Sequence, residues 1–190
     1  MDARTRPVAH DLLERGITRP ALDVWPEADR AAARAAGFRV SEVSAPLGAG
    51  DDVWRRVTHD LLRWRVKTAS GFRVHPEPTA AVEVDALLTI TARVLAVTIT
   101  EPVEVVEVVD EARRVGFAYR TRPGHPVAGE EAFVVHRDGG EGDGAGRGGD
   151  VVLTIRSLTA PAPQQPWRAL HPILRLAQLV ARRRYLRALR

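Results

Sequence analysis

The middle of the chain, residues 71–158, constrains the fold most, because its apolar residues recur at every second position. In the run at 88–94, apolar side chains alternate with threonine and arginine, and similar runs follow at 102–121, 130–137 and 150–158. A period of two places successive side chains on opposite faces of a β-strand. Because the connections between the runs are too short for crossover helices, the strands are expected to pair antiparallel. The segment therefore predicts an antiparallel sheet with one buried face.

Two irregularities interrupt this pattern. The phase of the alternation reverses after Val94, which predicts a bulge or a turn at Leu95–Ala96. The segment 138–150 contains seven glycines, and this composition predicts a flexible hairpin loop between the last two strands. Upstream, alternation over residues 38–43 predicts a first strand, which Pro46 and the glycines at 48 and 50 are expected to end.

Helical patterns flank the sheet segment in the sequence. Residues 1–36 contain helical pieces broken by glycine and proline, and we expect a helical arm there. Apolar residues at spacings of three and four predict an amphipathic helix over 51–66, with two aspartates placed to cap its start. A last helix is expected over 172–186, since proline is tolerated at a first helical position.

Together these elements predict an α+β fold in which a curved antiparallel sheet grips a long C-terminal helix. A sheet with one exposed face must bury its other face against helices, and the last helix is the long cover that the sequence offers. We expect residues 37–190 to form this single helix-grip domain, preceded by an N-terminal helical arm at 1–36. A cavity between sheet and helix would suit a small apolar ligand.

The composition excludes several kinds of site. The 190 residues include no cysteine, so disulfides, thiolate metal ligands and cysteine nucleophiles are ruled out. No apolar run reaches the roughly 18 residues that span a bilayer, and the N-terminus lacks the apolar core of a secretory signal. We therefore expect a cytoplasmic protein with no membrane insertion.

The cationic residues are unusual in kind and in placement. The net charge is +4, Lys67 is the only lysine, and five of the last nine residues are arginines. Such a cluster could attract phosphate or an anionic membrane, but it is also typical of the solvated face of a terminal helix, which we favour. No helix-turn-helix signature accompanies it, so no nucleic-acid partner is expected.

The densest polar passage is AYRTRPGHPVAGEEAFVV, residues 118–135, which includes Tyr119, His125, Glu130 and Glu131. Adjacent strand residues point to opposite faces, so at most one of the two glutamates is expected to face the interior. Burial would raise the pKa of such a glutamate and could make it an acid or a base. His125 could exchange a proton near neutral pH, and Tyr119 could stabilise an oxyanion. The same side chains could instead only satisfy backbone groups across a tight loop.

Nine residues are candidates for contacting a ligand in the cavity. Trp54 and Trp64 share one apolar stripe, and they either pack in the core or line a cavity. Gln178 lies near the apolar side of the last helix, and Arg175 could reach one of the glutamates. The full set is Trp54, Trp64, Tyr119, His125, Glu130, Glu131, Phe133, Arg175 and Gln178.

Neither a metal nor a cofactor is expected. One histidine and one carboxylate do not make a metal site. The sequence also contains no phosphate-binding glycine motif and no nucleophile elbow.

The polar passage and its neighbours resemble a known family. RVGFAYRTRPGHPVAGEEAFVV, residues 114–135, is similar to the pattern G-F-x-Y-G-T-L-P-G-H-P-x-x-G-E-E-x-F-x-V of the bacterial and plant domain-of-unknown-function family DUF1990. Arg120 and Arg122 replace the glycine and leucine of that pattern. The resemblance covers residues 37–190 and implies no activity, since the family has none established. The matching residues are Gly116, Phe117, Tyr119, Thr121, Pro123, Gly124, His125, Pro126, Gly129, Glu130, Glu131, Phe133 and Val135.

The order of elements also resembles, more distantly, the helix-grip superfamily of START-like lipid carriers, polyketide cyclases and birch-pollen-allergen-like proteins. This second resemblance implies a fold and not a function.

Three functional hypotheses are compatible with these features. The first, which we favour, is a protein that binds a small apolar or amphipathic ligand between the sheet and the C-terminal helix. The second is a cyclase, isomerase or hydrolase that uses His125 and either Glu130 or Glu131. The third is an interaction protein that uses its basic C-terminal helix on nucleic acid or anionic lipid. The oligomeric state stays open.

Overall fold

The structure is a computed structural model and describes residues 11–94, 97–138, 149–162, 164, 167 and 178–190. Residues 11–15 and 178–185 are helical. The other elements, in chain order, are α1 (Glu27–Ala35), β1 (Arg39–Ala49), α2 (Asp51–Leu61), α3 (Arg65–Thr68), β2 (Phe72–His75), β3 (Leu87–Val94), β4 (Val97–Glu111), β5 (Arg114–Thr121), β6 (Val127–Asp138) and β7 (Asp150–Pro161).

The strands form one seven-stranded sheet in the order β1-β7-β6-β5-β4-β3-β2. Every neighbouring pair is antiparallel, which confirms the prediction from the period of two. β1 continues past Pro46 to Ala49 and ends directly before Gly50, so the expected break is wrong at Pro46 and correct at the last glycine. β1 is an edge strand, where a residue without an N–H is tolerated, and its register shifts between Pro46 and Gly48.

The helix predicted over 51–66 is divided in two. α2 ends at Leu61, Trp64 adopts a left-handed conformation with φ of 61°, and the four-residue α3 begins at the next residue. The two aspartates do not cap α2, since Gly50 holds the N-cap position without a side-chain hydrogen bond. Asp51 and Asp52 occupy the first turn instead, where their charge complements the helix dipole.

One face of the sheet, here called the inner face, carries Phe117, Phe133 and Ile155. α2, α3 and the helical residues 178–185 pack against this face and complete the main core. The ring centroids of Trp64 and Phe117 lie 4.6 Å apart, and the rings of Tyr185 and Phe133 form a T-shaped pair with centroids 5.4 Å apart. The arrangement is the predicted α+β helix-grip class.

The opposite, outer face is also covered, which the sequence did not predict. Residues 11–38, here called the N-terminal cover, pack Trp25, Ala33 and Phe38 against Leu158 of β7. Arg156 of β7 donates hydrogen bonds to three carbonyl oxygens of the cover, those of residues 18, 19 and 23, at 3.3, 2.6 and 2.9 Å. The prediction of a sheet with one exposed face is therefore wrong around β6 and β7.

Several predictions fall on residues outside the described part of the chain. They concern the bulge or turn at Leu95–Ala96, most of the glycine-rich loop, the start of the last helix near Pro172, and the role of Arg175. Across the residues that are described, no helix combines the length and the apolar character needed to cross a membrane.

Candidate functional site

A cavity of about 520 Å³ lies between the inner face of the sheet and the helical residues 178–185. Its wall combines apolar side chains with a group of charged and hydroxyl-bearing ones. Strands β4 to β7 each contribute alternate residues to the inner face, while other polar groups come from α3, from the loop before β6 and from the helical residues 178–185. The wall includes Lys67, Phe72, Ile99, Glu101, Tyr119, His125, Val127, Glu131, Ser157, Gln178, Arg182 and Tyr185.

Lys67, the only lysine, is the central cation of the cavity wall. Lys67 lies on the short helix α3, and only 2% of the residue is exposed. Its Nζ donates hydrogen bonds to Glu131 Oε2 at 2.9 Å and to the Tyr185 hydroxyl at 2.8 Å. The same atom lies 4.4 to 5.3 Å from the centroids of four aromatic rings, close enough for cation–π attraction. The four rings belong to Phe72, Tyr119, Phe133 and Tyr185.

Glu131 is the anion that balances this lysine. Burial by itself would raise the pKa of Glu131, but the charge of Lys67 and hydrogen bonds from Lys67 and Tyr119 outweigh it and lower the pKa. Burial also raises the pKa of the Tyr119 and Tyr185 hydroxyls well above the ordinary value. Both tyrosines therefore remain phenols, and Glu131 remains a carboxylate, at neutral pH.

A second carboxyl group, that of Glu101, faces the cavity and was not among the predicted residues. It projects from β4 in register with the buried Ile90 of β3. Burial raises its pKa to about 7, with the Lys67 charge opposing that rise and the Glu131 charge adding to it. Its orientation could have been predicted from the sequence, because Glu101 occupies the same alternating positions as Ile99 and the apolar residues of β4 and should therefore point to the same face.

Arg182 is the second cation and was expected on a solvated surface. It is buried, whereas the four other arginines of the C-terminal cluster are exposed. Its guanidinium donates to Ser157 Oγ at 2.6 Å and to Ser41 Oγ at 3.2 Å. These two serines belong to the paired strands β7 and β1. The prediction that the whole cluster is solvated is therefore wrong for Arg182.

His125 lines the cavity but is held by its own loop. Its Nδ1 lies 2.8 Å from the carbonyl oxygen of Val127, and its carbonyl oxygen accepts a hydrogen bond from Gln164 Nε2 at 3.1 Å. Burial lowers the pKa of His125 to about 4. The ring is therefore neutral at pH 7. Its contact with Val127 holds the loop that carries His125 against the start of β6.

The two adjacent glutamates have separate environments. The carboxylate of Glu130 binds the N-terminal cover on the outer face, where it accepts hydrogen bonds from the amides of Ile17 at 3.1 Å and Thr18 at 2.8 Å. The hydroxyl of Thr18 also donates to it. Strand alternation does separate Glu130 from Glu131, but the expectation that only one is interior is wrong, because the cover buries the outer face.

The remaining predicted residues divide between cavity and core. Gln178 borders the cavity, whereas Trp64 and Phe133 are core residues beneath it. Trp54 is partly buried and packs against the main core from α2, with the guanidinium of Arg137 4.8 Å from its ring centroid. Arg175 lies outside the described residues.

The two arginines that depart from the family pattern do not line the cavity. Arg120 and Arg122 both bind Glu104, and Arg120 also pairs with Glu14 of the N-terminal cover. Within the described segments, no three histidine, aspartate or glutamate side chains come together as a metal site requires.

Comparison with known proteins places the chain among relatives without an assigned activity. The model of the family described as domain of unknown function (DUF1990) matches residues 26–188. This match confirms the resemblance that was seen in the polar passage. The comparison with curated proteins finds no match.

The solved structures that resemble this chain come from varied organisms. A hypothetical protein from Helicobacter pylori has a TM-score of 0.52 at 14% identity, over 80% of this chain and 84% of that one. An aromatase/cyclase from a Streptomyces species has 0.47 at 19%, over 80% and 93%. A major latex-like protein from Panax ginseng has 0.41 at 15%, over 77% and 97%. At these identities the similarity concerns the fold alone.

Proposed function

The chain belongs to the DUF1990 family, whose name assigns no activity, and we propose from its own residues that it binds a small amphipathic ligand in the cavity. The observation that carries this proposal is the cavity itself. Its volume of about 520 Å³ falls within the roughly 300–1,000 Å³ of small-molecule sites. An apolar wall with a few convergent polar groups is the usual composition of such sites.

The wall supports a ligand with two chemically different parts. Phe72, Ile99 and Val127 offer apolar surface, while Lys67 and Glu131 form a polar cluster whose groups are already hydrogen-bonded. A preorganised wall of this kind reduces the free energy spent on ordering side chains when a ligand binds. Binding between sheet and helix would also stabilise the native state, because the unfolded chain has no cavity.

The proposal is tested with an uncharged apolar fluorophore, Nile red, which brightens in apolar surroundings. Ala92 of β3 borders the cavity, so Ala92→Phe should fill part of it and weaken Nile red binding by about tenfold or more. The matched control is Ala32→Phe, at an exposed position of α1, which should leave binding unchanged. Equal binding by both variants would mean that the dye occupies another surface, and the proposal would be abandoned.

The enzymatic alternative draws less support from the same geometry. His125 is neutral at pH 7 and is bound to its own loop, and Glu130 directs its carboxylate toward the N-terminal cover. Glu131 does share the cavity wall with His125, but its carboxylate is already hydrogen-bonded to Lys67 and Tyr119.

A further inference from the structure

Arg182 is a buried cation that forms no ion pair within the described part of the chain, since the nearby Glu131 carboxylate is paired with Lys67. It is 9% exposed, and the hydrogen bonds that it makes there go to the neutral hydroxyls of Ser41 and Ser157. No ion pair among the described residues includes it. Buried charges in proteins are normally paired, because removing an unpaired charge from water is energetically unfavourable. The position of Arg182 on the cavity wall leaves a ligand as the natural source of the missing charge.

The guanidinium is also oriented in advance. One terminal nitrogen donates to Ser157 on β7 and the other donates to Ser41 on β1. A guanidinium has about five N–H donors in a rigid fork, so these two bonds fix its plane and leave donors for a ligand. A planar carboxylate fits such a fork with two parallel hydrogen bonds.

The charges of the cavity wall favour one added negative charge. Lys67 and Arg182 are cationic. Glu131 is paired with Lys67, and the charge of Arg182 also helps to lower the pKa of Glu131. Two cations therefore share one carboxylate. A dianion would be opposed by Glu131 and by the ionised fraction of Glu101.

Other titratable groups do not change this balance. His125 is neutral, and Arg93 and Arg184 border the cavity at exposed positions, where solvent and salt screen their charge. A wholly uncharged ligand would displace water from Arg182 and leave its donors unpaired, which costs binding free energy.

We propose that the ligand is an amphipathic monocarboxylate whose carboxylate binds Arg182 while its apolar part fills the cavity. This inference rests on the proposed function, and it adds the chemical class of the ligand. It distinguishes Arg182 from Lys67, whose ammonium is already satisfied by Glu131 and Tyr185.

The test compares decanoate, decanol and decyl phosphate as competitors of Nile red. Wild-type protein should bind decanoate about tenfold more tightly than decanol, the ratio expected for a charge-assisted hydrogen bond. Decyl phosphate should bind more weakly than decanoate. Arg182→Gln should abolish the preference for decanoate by weakening decanoate binding, and it should bind decanol at least as tightly as wild-type protein does. The control with the same change in charge is Arg183→Gln, at the exposed neighbouring position, which should keep the preference.

A second variant covers the case in which Arg182→Gln fails to fold. Ser157→Ala removes the hydroxyl that orients one guanidinium nitrogen but keeps the cation, so it should reduce the preference for decanoate while decanol binding holds. Equal affinity of wild-type protein for decanoate and decanol would overturn this inference alone. A preference that survives both Arg182→Gln and Ser157→Ala would also overturn it. Failure of Nile red and all three competitors to bind would instead remove the proposed function and this inference together.

Discussion

Replacing Glu101 with glutamine should make the protein more stable at alkaline pH. Glu101 faces the cavity from β4, and burial raises its pKa from the ordinary value of 4.5 to about 7. A raised carboxyl pKa means that the native state holds the proton more tightly than the unfolded state. The free energy of unfolding therefore falls as the pH rises from about 4.5 to about 7. Glutamine has nearly the same shape as the protonated glutamic acid side chain, and it does not ionise in this pH range.

The magnitude follows from the two pKa values. A rise from 4.5 to about 7 corresponds to about 3 kcal/mol, at about 1.4 kcal/mol for each tenfold change in proton affinity. At pH 8 Glu101 is ionised in both states, so Glu101→Gln should stabilise the protein by about 3 kcal/mol. At pH 5 the native group is protonated, and the gain should fall to about 1 kcal/mol or less.

Urea denaturation followed by tryptophan fluorescence at pH 5 and pH 8 measures this difference. The comparison of variant with wild type isolates Glu101, because other groups with shifted pKa values, such as Glu130 and His125, are common to both. Glu83→Gln, at an exposed position, is the control for the loss of a charge and should change stability little at either pH. A stabilisation by Glu101→Gln that is the same at both pH values would refute the reasoning.

Three further changes test other parts of the structure. Lys67→Met should lower the free energy of unfolding by about 3–5 kcal/mol, because the Glu131 carboxylate would lose the cation that pairs with it. Urea denaturation measures this free energy. Adding Glu131→Gln to the variant should restore part of the lost stability. Glu130→Gln should speed hydrogen exchange at the amide of Thr18, by weakening the contact with the N-terminal cover, while Nile red binding stays unchanged. Gly129→Ala should sharply lower the melting temperature, since its Cβ would overlap a backbone carbonyl oxygen of β7; an unchanged melting temperature would contradict the packing of these strands.

The sheet could be predicted from the sequence because strand geometry is local. The alternation of apolar residues indicated strands that correspond to β3 through β7, and the short connections indicated antiparallel pairing. The same alternation correctly separated Glu130 from Glu131. It could also have identified Glu101, whose charge interrupts an apolar series.

Chain conformation that departs from regular geometry was harder to predict. The left-handed residue Trp64 ends the helical pattern and starts α3, which turns Lys67 inward. The apolar spacing around 51–66 continues through this break, so periodicity alone predicted one continuous helix. Pro46 was misjudged because its tolerance depends on β1 being an edge strand, a property of the assembled sheet.

The strands, their antiparallel pairing and the family motif can be read from local sequence alone. Which polar groups are buried together depends instead on how distant segments pack. Lys67 meets Glu131 from 64 residues away and Tyr185 from 118 residues away, and Glu130 meets the N-terminal cover across more than 100 residues. This difference arises because a strand's period depends on its own backbone, whereas the stability of a buried charge depends on partners that other segments bring to it. The same dependence makes Arg182 a buried cation rather than one more arginine on a solvated helix.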